Sequence, residues 1–67
     1  MSSLATEYAK EQARCRELIQ LYRDLPNNVG IFGAIHIEAT LRQADEAAMS
    51  GDVIAMLQAY EAMKSCE

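Results

Sequence analysis

The tripeptide Ser50-Gly51-Asp52 restricts the fold of this chain more than any other feature, because it lies between two amphipathic segments. Glycine readily takes the left-handed conformation that ends an α-helix. An aspartate placed directly after it can accept a backbone hydrogen bond and begin the next helix. The tripeptide therefore predicts a sharp turn that joins two helices as a tight αα-hairpin.

The segments on either side of the turn carry apolar residues three and four positions apart, which is typical of one face of a helix. The stripe before the turn is rich in small residues and consists of Ala34, Ile37, Leu41, Ala44 and Ala48. The helix after the turn is predicted from Val53 to about Ser65, with an inner face of Val53, Met56, Leu57, Tyr60 and Met63. Ile54 falls outside that inner face. We expect the small residues to let the two helices pack closely.

A further helix is predicted at the start of the chain, with Ser3 as its N-cap. Its apolar residues form a heptad-like seam of Leu4, Tyr8, Cys15, Leu18, Tyr22 and Leu25, in which Glu11 occupies the one missing place. Pro26 ends the helix, because proline disfavours helical geometry at the residue before it. This seam packs against the hairpin or, as an alternative, against a second copy in a short coiled coil.

The segment between these helices, residues 29–34, is entirely apolar and contains two glycines. It forms either a short strand or the opening turns of the second helix. We favour the helix, because the sequence contains no second strand to pair with the first. Gly33 is expected to let another backbone approach closely, and Phe32, the one phenylalanine of the chain, lies beside it.

These patterns predict an all-α protein with residues 1–67 in a single domain of three short helices. A chain of 67 residues buries only a modest core. Cys15 lies on the apolar seam, whereas Cys66 is expected to be exposed, so the two cysteines predict no disulfide framework and no metal site. This cysteine usage and an N-terminus unlike a signal peptide predict a soluble cytoplasmic protein without a membrane segment.

The charge distribution argues against nucleic-acid binding. The net charge is −4, and the whole excess of negative charge lies in residues 25–67, since the charges of residues 1–24 cancel. Phosphate backbones require clustered lysine and arginine side chains. We therefore expect no nucleic-acid partner.

Residues that could support catalysis are sparse. His36 is the sole histidine, and Thr40 is the one polar residue within helical reach of it. Asp45 and Glu46 are adjacent, so their side chains diverge into solvent. The glycines do not form a phosphate-binding loop. We predict a protein that is not an enzyme and needs no cofactor.

Three stretches, Leu25–Ala34, Ser50–Leu57 and Ala59–Glu61, resemble a family of small accessory proteins of lambdoid bacteriophages, which are encoded between the exonuclease and excisionase genes. The resemblance covers roughly residues 18–66 and leaves most of the first helix unmatched. It implies an early phage product in the host bacterial cytoplasm. Such a product shifts development between lysis and lysogeny or disturbs the host cell cycle.

The apolar content of the chain exceeds what one small core can bury, and this excess suggests binding to other proteins. We expect an interaction surface of Ile31, Phe32 and Ile35, with Ile54 as a neighbour. It would contact an unknown host or phage protein, or would close the core or the interface of a homodimer. We expect a homodimer, because a small core without disulfides or bound metal ions gains stability when two copies associate. The alternative functions are a helical assembly subunit that only oligomerises and, less well supported, a nucleic-acid-binding regulator.

Overall fold

Three α-helices and one short 3-10 turn make up the described part of the chain, residues 3–67, in a computed structural model. The helices are α1 (Leu4–Arg23), α2 (Ile31–Ser50) and α3 (Val53–Lys64), and the 3-10 turn spans Pro26–Asn28. The predicted all-α architecture is confirmed. The segment around Phe32 opens α2 as a helix, so the alternative of a strand there is wrong.

The first helix begins where the sequence predicts and ends at Arg23, so Leu25, the last residue of the predicted seam, lies outside the helix and is exposed. The Ser3 hydroxyl accepts a hydrogen bond from the backbone N–H of Thr6 at 3.2 Å. Leu25, the residue before proline, has an extended ψ of 143°. Asn27 and Asn28 follow with φ values of 59° and 57°. Asparagine tolerates the left-handed conformation better than most residues, so this pair reverses the chain between α1 and α2.

The predicted turn between α2 and α3 is also confirmed. Gly51 has φ 73°, and the carboxylate of Asp52 accepts hydrogen bonds from the N–H groups of Ile54 and Ala55 at 3.0 and 3.2 Å. The Ser50 hydroxyl donates to the carbonyl of Ala47 at 2.8 Å and accepts from the N–H of Asp52 at 3.1 Å. All three residues of the tripeptide therefore stabilise the reversal.

The core lies where the three helices meet, with α2 antiparallel to both α1 and α3. The Tyr8 hydroxyl donates to the carbonyl of Ala44 at 2.7 Å, which ties α1 to α2. The Tyr8 ring stacks on Tyr60 of α3 with ring centroids 6.5 Å apart. The central buried cluster consists of Tyr8, Cys15, Ile37, Leu41, Ala44, Ala47, Ala59, Met63 and Cys66.

Two of the apolar stripes predicted from the sequence differ from the helix faces that are buried in the structure. Ala48 is exposed and Ala47 is buried, because an α-helix drifts away from a strict heptad and α3 covers the side on which Ala47 lies. On α3, Val53 and Leu57 are exposed, whereas Ala59 is buried. The small side chains allow α3 to approach α2 closely, so α3 turns its alanines inward.

The glycine at which another backbone approaches is Gly30, not Gly33 as predicted. A β-carbon at Gly30 would lie 2.9 Å from the carbonyl carbon of Tyr22 and would collide with the attached oxygen. At Gly33 it would lie 3.6 Å from the Tyr22 ring, which is ordinary contact. The end of α1 therefore rests on the start of α2 through Gly30.

Cys66, expected to be exposed, is buried, with 4% of its surface accessible. The reason is that residues 65–67 continue along α1 after α3 ends. The guanidinium of Arg14 donates to the carbonyls of Met63 and Cys66 at 2.6 and 2.8 Å, and the Tyr22 hydroxyl donates to the carbonyl of Glu67. No helix within residues 3–67 is long and apolar enough to cross a membrane.

Candidate functional site

Eight of the nine large apolar side chains that are exposed within residues 3–67 fall into two sets, and the ninth is Leu21 of α1. One set lies at the connection between α1 and α2, and the other lies at the turn between α2 and α3. We call the first the Phe32 surface and define it as Leu25, Val29, Phe32 and Ile35. We call the second the Ile54 surface and define it as Met49, Val53, Ile54 and Leu57.

The Phe32 surface exists because α3 is shorter than its neighbours. At 1.5 Å per residue, α1 and α2 are each about 30 Å long and α3 is about 18 Å long. Since α3 begins at the far end of α2, it covers the C-terminal part of that helix and stops before reaching Phe32. Phe32 is 84% exposed and Ile35 is 51% exposed, one helical turn apart on α2.

The Phe32 surface carries no formal charge of its own. The sequence contains no Asp, Glu, Lys or Arg between Asp24 and Glu38. At its edge, the guanidinium of Arg23 forms an ion pair with Glu38, in which Arg23 Nε donates to Glu38 Oε1 at 2.7 Å. An uncharged apolar centre with a paired polar edge is the composition found at protein–protein interfaces.

The predicted interaction residues do not form one surface. Phe32 and Ile35 are exposed side by side, and Ile31 between Gly30 and Phe32 is partly buried. Ile54 is 69% exposed but lies beyond the opposite end of α2, about 27 Å from Phe32 along the helix axis. The expectation that Ile54 neighbours Phe32 is therefore wrong.

The Ile54 surface was only partly visible in the sequence, because Val53 and Leu57 matched the predicted inner face of α3. Leu57 lies three residues after Ile54 and four after Val53, so on α3 its side chain is next to both of theirs. Met49, across the turn, adds a flexible side chain that is 88% exposed. Methionine adapts to partners of varied shape.

The sequence that carries the Ile54 surface is acidic, since residues 44–61 contain Asp45, Glu46, Asp52 and Glu61 and no lysine or arginine. Two of these carboxylates are paired, Asp45 with Arg16 of α1 and Glu61 with Lys64. Glu46 and Glu61 are exposed. A partner that covers this surface would therefore gain from basic groups at its rim.

The structure does not assemble a catalytic group around the polar residues considered from the sequence. His36 is exposed, and the Thr40 hydroxyl donates to the carbonyl of His36 at 3.1 Å within α2. Asp45, which we expected only in solvent, accepts from Gln12 at 2.9 Å and pairs with Arg16 at 3.5 Å, so it links α2 to α1. Within residues 3–67 no group of three or more potential metal ligands is found.

Buried polar atoms likewise give no sign of a ligand. Every buried side-chain nitrogen or oxygen in the described part of the chain has a hydrogen-bond partner. A groove between α2 and α3 is lined by Gln43, Ala47, Ala55, Gln58, Ala59 and Ala62, none of which titrates.

Comparisons with known proteins add no relative. No protein-family model, no curated protein and no solved structure matches the chain.

Proposed function

We propose that this protein is a small, non-enzymatic regulator that acts by binding other proteins. The observation that carries the proposal is the exposure of Phe32 at the centre of an uncharged apolar surface. Aromatic side chains are enriched and charged side chains are depleted at the centres of protein interfaces. A side chain of this size that stays in water contributes nothing to the fold, so its value lies in association.

The Phe32 surface joins two copies of the chain. A 67-residue domain without a disulfide between its two free cysteines has a small core, and a second copy extends that core. Phe32 and Ile35 lie on the outer side of α2, where a two-fold axis would bring each residue against the same helix of the other copy. The homodimer then leaves the Ile54 surface free, because it lies at the other end of α2.

The Ile54 surface binds a different protein. Its apolar centre and the negative net charge of residues 44–61 suit a partner that has an apolar anchor and basic residues at its rim. The resemblance to lambdoid phage accessory proteins supplies the setting: a host or phage protein in the bacterial cytoplasm, whose capture shifts phage development or the host cell cycle.

Tagged wild-type protein and two variants, Phe32→Glu and Ile54→Glu, used as baits in lysate of phage-infected bacteria test this division of roles. Both substitutions place a carboxylate at an exposed position, so each serves as the other's matched control for charge. We expect Ile54→Glu to lose a captured protein while still dimerising, and Phe32→Glu to lose dimerisation while keeping that protein. If neither substitution changes what the bait recovers, the proposal is wrong.

The second candidate function is an assembly subunit that only oligomerises. The separation of two apolar surfaces at opposite ends of α2 favours it, because a contact between unlike surfaces repeats from copy to copy and builds rings or open chains. In that case the bait recovers mainly itself, in particles larger than a dimer. Either substitution then reduces the particle size.

A further inference from the structure

The two cysteines meet inside the core, although they lie near opposite ends of the sequence. Cys15 is fully buried in α1, and Cys66 lies in the segment after α3. The carbonyl oxygen of Met63 joins them: the Cys15 thiol donates to it at 3.9 Å, and the backbone N–H of Cys66 donates to it at 3.0 Å.

Both thiols point at the last turn of α3, since the Cys66 thiol donates to the carbonyl of Ala62 at 3.5 Å. Burial raises the pKa of the Cys15 thiol, and the neighbouring Cys66 thiol raises it further. The two thiols therefore converge on the carbonyl oxygens of two consecutive residues, Ala62 and Met63. Both cysteines are free thiols in this structure.

We infer that Cys15 and Cys66 form a reversible disulfide when the protein meets a peroxide, and that this bond fastens the segment after α3 to α1. The Cys66 thiol first gives up its proton and its sulfur attacks hydrogen peroxide; the O–O bond breaks, the sulfur becomes a sulfenic acid, and the departing hydroxide takes up the proton to form one water. The Cys15 sulfur then attacks the Cys66 sulfur, the S–S bond forms, the S–O bond breaks and a second water leaves. The two thiols lose two electrons and two protons, and one peroxide becomes two waters.

Cys66 reacts first because its surroundings open more easily. Residues 65–67 lie outside the helix and are held to α1 by the Arg14 guanidinium and the Tyr22 hydroxyl. A local opening of these contacts exposes the Cys66 thiol while the helices stay folded. Cys15 lies in the middle of α1, so its thiol becomes accessible only from the Cys66 side.

The test uses the folded, reduced protein treated with hydrogen peroxide, then blocked with N-ethylmaleimide under denaturing conditions and weighed by mass spectrometry. We expect a monomeric product that is lighter by about 2 Da and carries no maleimide, as the loss of two hydrogens requires. Trypsin cleaves after Arg14, Arg16 and Lys64. It should therefore release the dipeptide Cys15-Arg16 joined to the peptide that begins at Ser65.

The controls are the single variants Cys15→Ser and Cys66→Ser, which should never give the lighter monomer. The thermal midpoint of the oxidised wild-type protein should exceed that of the reduced protein by on the order of 10 °C, because the bond closes a long loop of chain. Recovery of wild-type protein with two maleimides, with over-oxidised cysteines, or only as a disulfide-linked dimer would overturn the inference. So would a lower midpoint after oxidation.

Discussion

Gly51 and Asp52 act together at the reversal between α2 and α3, each through one backbone property. Gly51 has a φ of 73°, and this left-handed conformation is unfavourable for a residue that carries a β-carbon. A β-carbon built at Gly51 meets no atom within 4 Å, so crowding is not the reason for glycine. Asp52 then satisfies two backbone N–H groups that α3 would otherwise leave without partners.

Replacing Gly51 by valine is therefore expected to lower the free energy of unfolding by about 1 kcal/mol or more, since a β-branched side chain resists positive φ. Gly51→Asn is the matched control and should cost less, because asparagine tolerates this conformation. Asp52→Ala should cost about 1 kcal/mol through the lost cap. Urea denaturation measures all three, and unchanged midpoints for the valine and alanine variants would show that the turn does not stabilise the fold.

Tyr8 makes the free energy of unfolding depend on pH in the alkaline range. Burial raises the pKa of its phenol, and the negative charge of Asp45 raises it further. The folded protein therefore holds this proton more tightly than the unfolded chain does. The resulting stability is fully present below the unfolded pKa of about 10 and is lost as the pH rises through the folded pKa.

The variant Tyr8→Phe isolates this contribution. It should unfold about 1 kcal/mol more easily at neutral pH, because the hydrogen bond to the carbonyl of Ala44 is lost. Its stability should also fall less steeply than that of the wild-type protein above about pH 10. Urea titrations at a series of pH values provide the comparison, and parallel pH profiles for the two proteins would contradict this role of Tyr8.

At the scale of the helices, the helix ends and most of the buried stripe of α2 (Ala34, Ile37, Leu41 and Ala44) could be predicted from the sequence, whereas the side on which α3 meets its neighbours could not. Ser3, Pro26 and the Ser50-Gly51-Asp52 turn mark helix ends by hydrogen bonding and backbone geometry, which depend on neighbours in the sequence. The burial of Ala47 and Ala59 and the exposure of Leu57 depend on where another helix approaches. The same reason explains why the close contact is at Gly30 and why Cys66 is buried.

The two glycines near the start of α2 give a matched pair of substitutions. Gly30→Ala should destabilise the protein by roughly 1–3 kcal/mol, because the added carbon collides with the backbone of Tyr22. Gly33→Ala should stabilise it by about 0.5–1 kcal/mol, because alanine favours the helix and its methyl group makes ordinary contact with the Tyr22 ring. The thermal midpoints of both variants measure these changes in stability, and equal shifts of the two midpoints would contradict the backbone contact assigned to Gly30.

Within residues 3–67, few lysine and arginine side chains are left without a carboxylate partner. Five of the six side chains form ion pairs with carboxylates: those of Lys10, Arg14, Arg16, Arg23 and Lys64. Exposed pairs of this kind add little stability, but they neutralise the groups that would contact phosphates.

The excess of apolar residues was evident from the composition of the chain. Its division into two surfaces was not evident, because that division follows from the short length of α3.

We therefore predict no binding of duplex DNA at physiological salt. Too few unpaired cations remain to neutralise several phosphates, and the net charge of −4 opposes the approach. An electrophoretic mobility shift with micromolar protein provides the measurement. A salt-sensitive shift would contradict the prediction and favour a nucleic-acid-binding regulator.

Sedimentation equilibrium over a range of protein concentrations measures whether two copies of the chain associate through the Phe32 surface. Wild-type protein and the Ile54→Glu variant should sediment as dimers at tens of micromolar, and Phe32→Glu should sediment as a folded monomer, because a buried unpaired carboxylate opposes the interface. The thermal midpoint of the wild-type protein should rise with concentration as association stabilises it. A monomeric wild-type protein with a concentration-independent midpoint, or a dimer that Phe32→Glu leaves intact, would contradict the account.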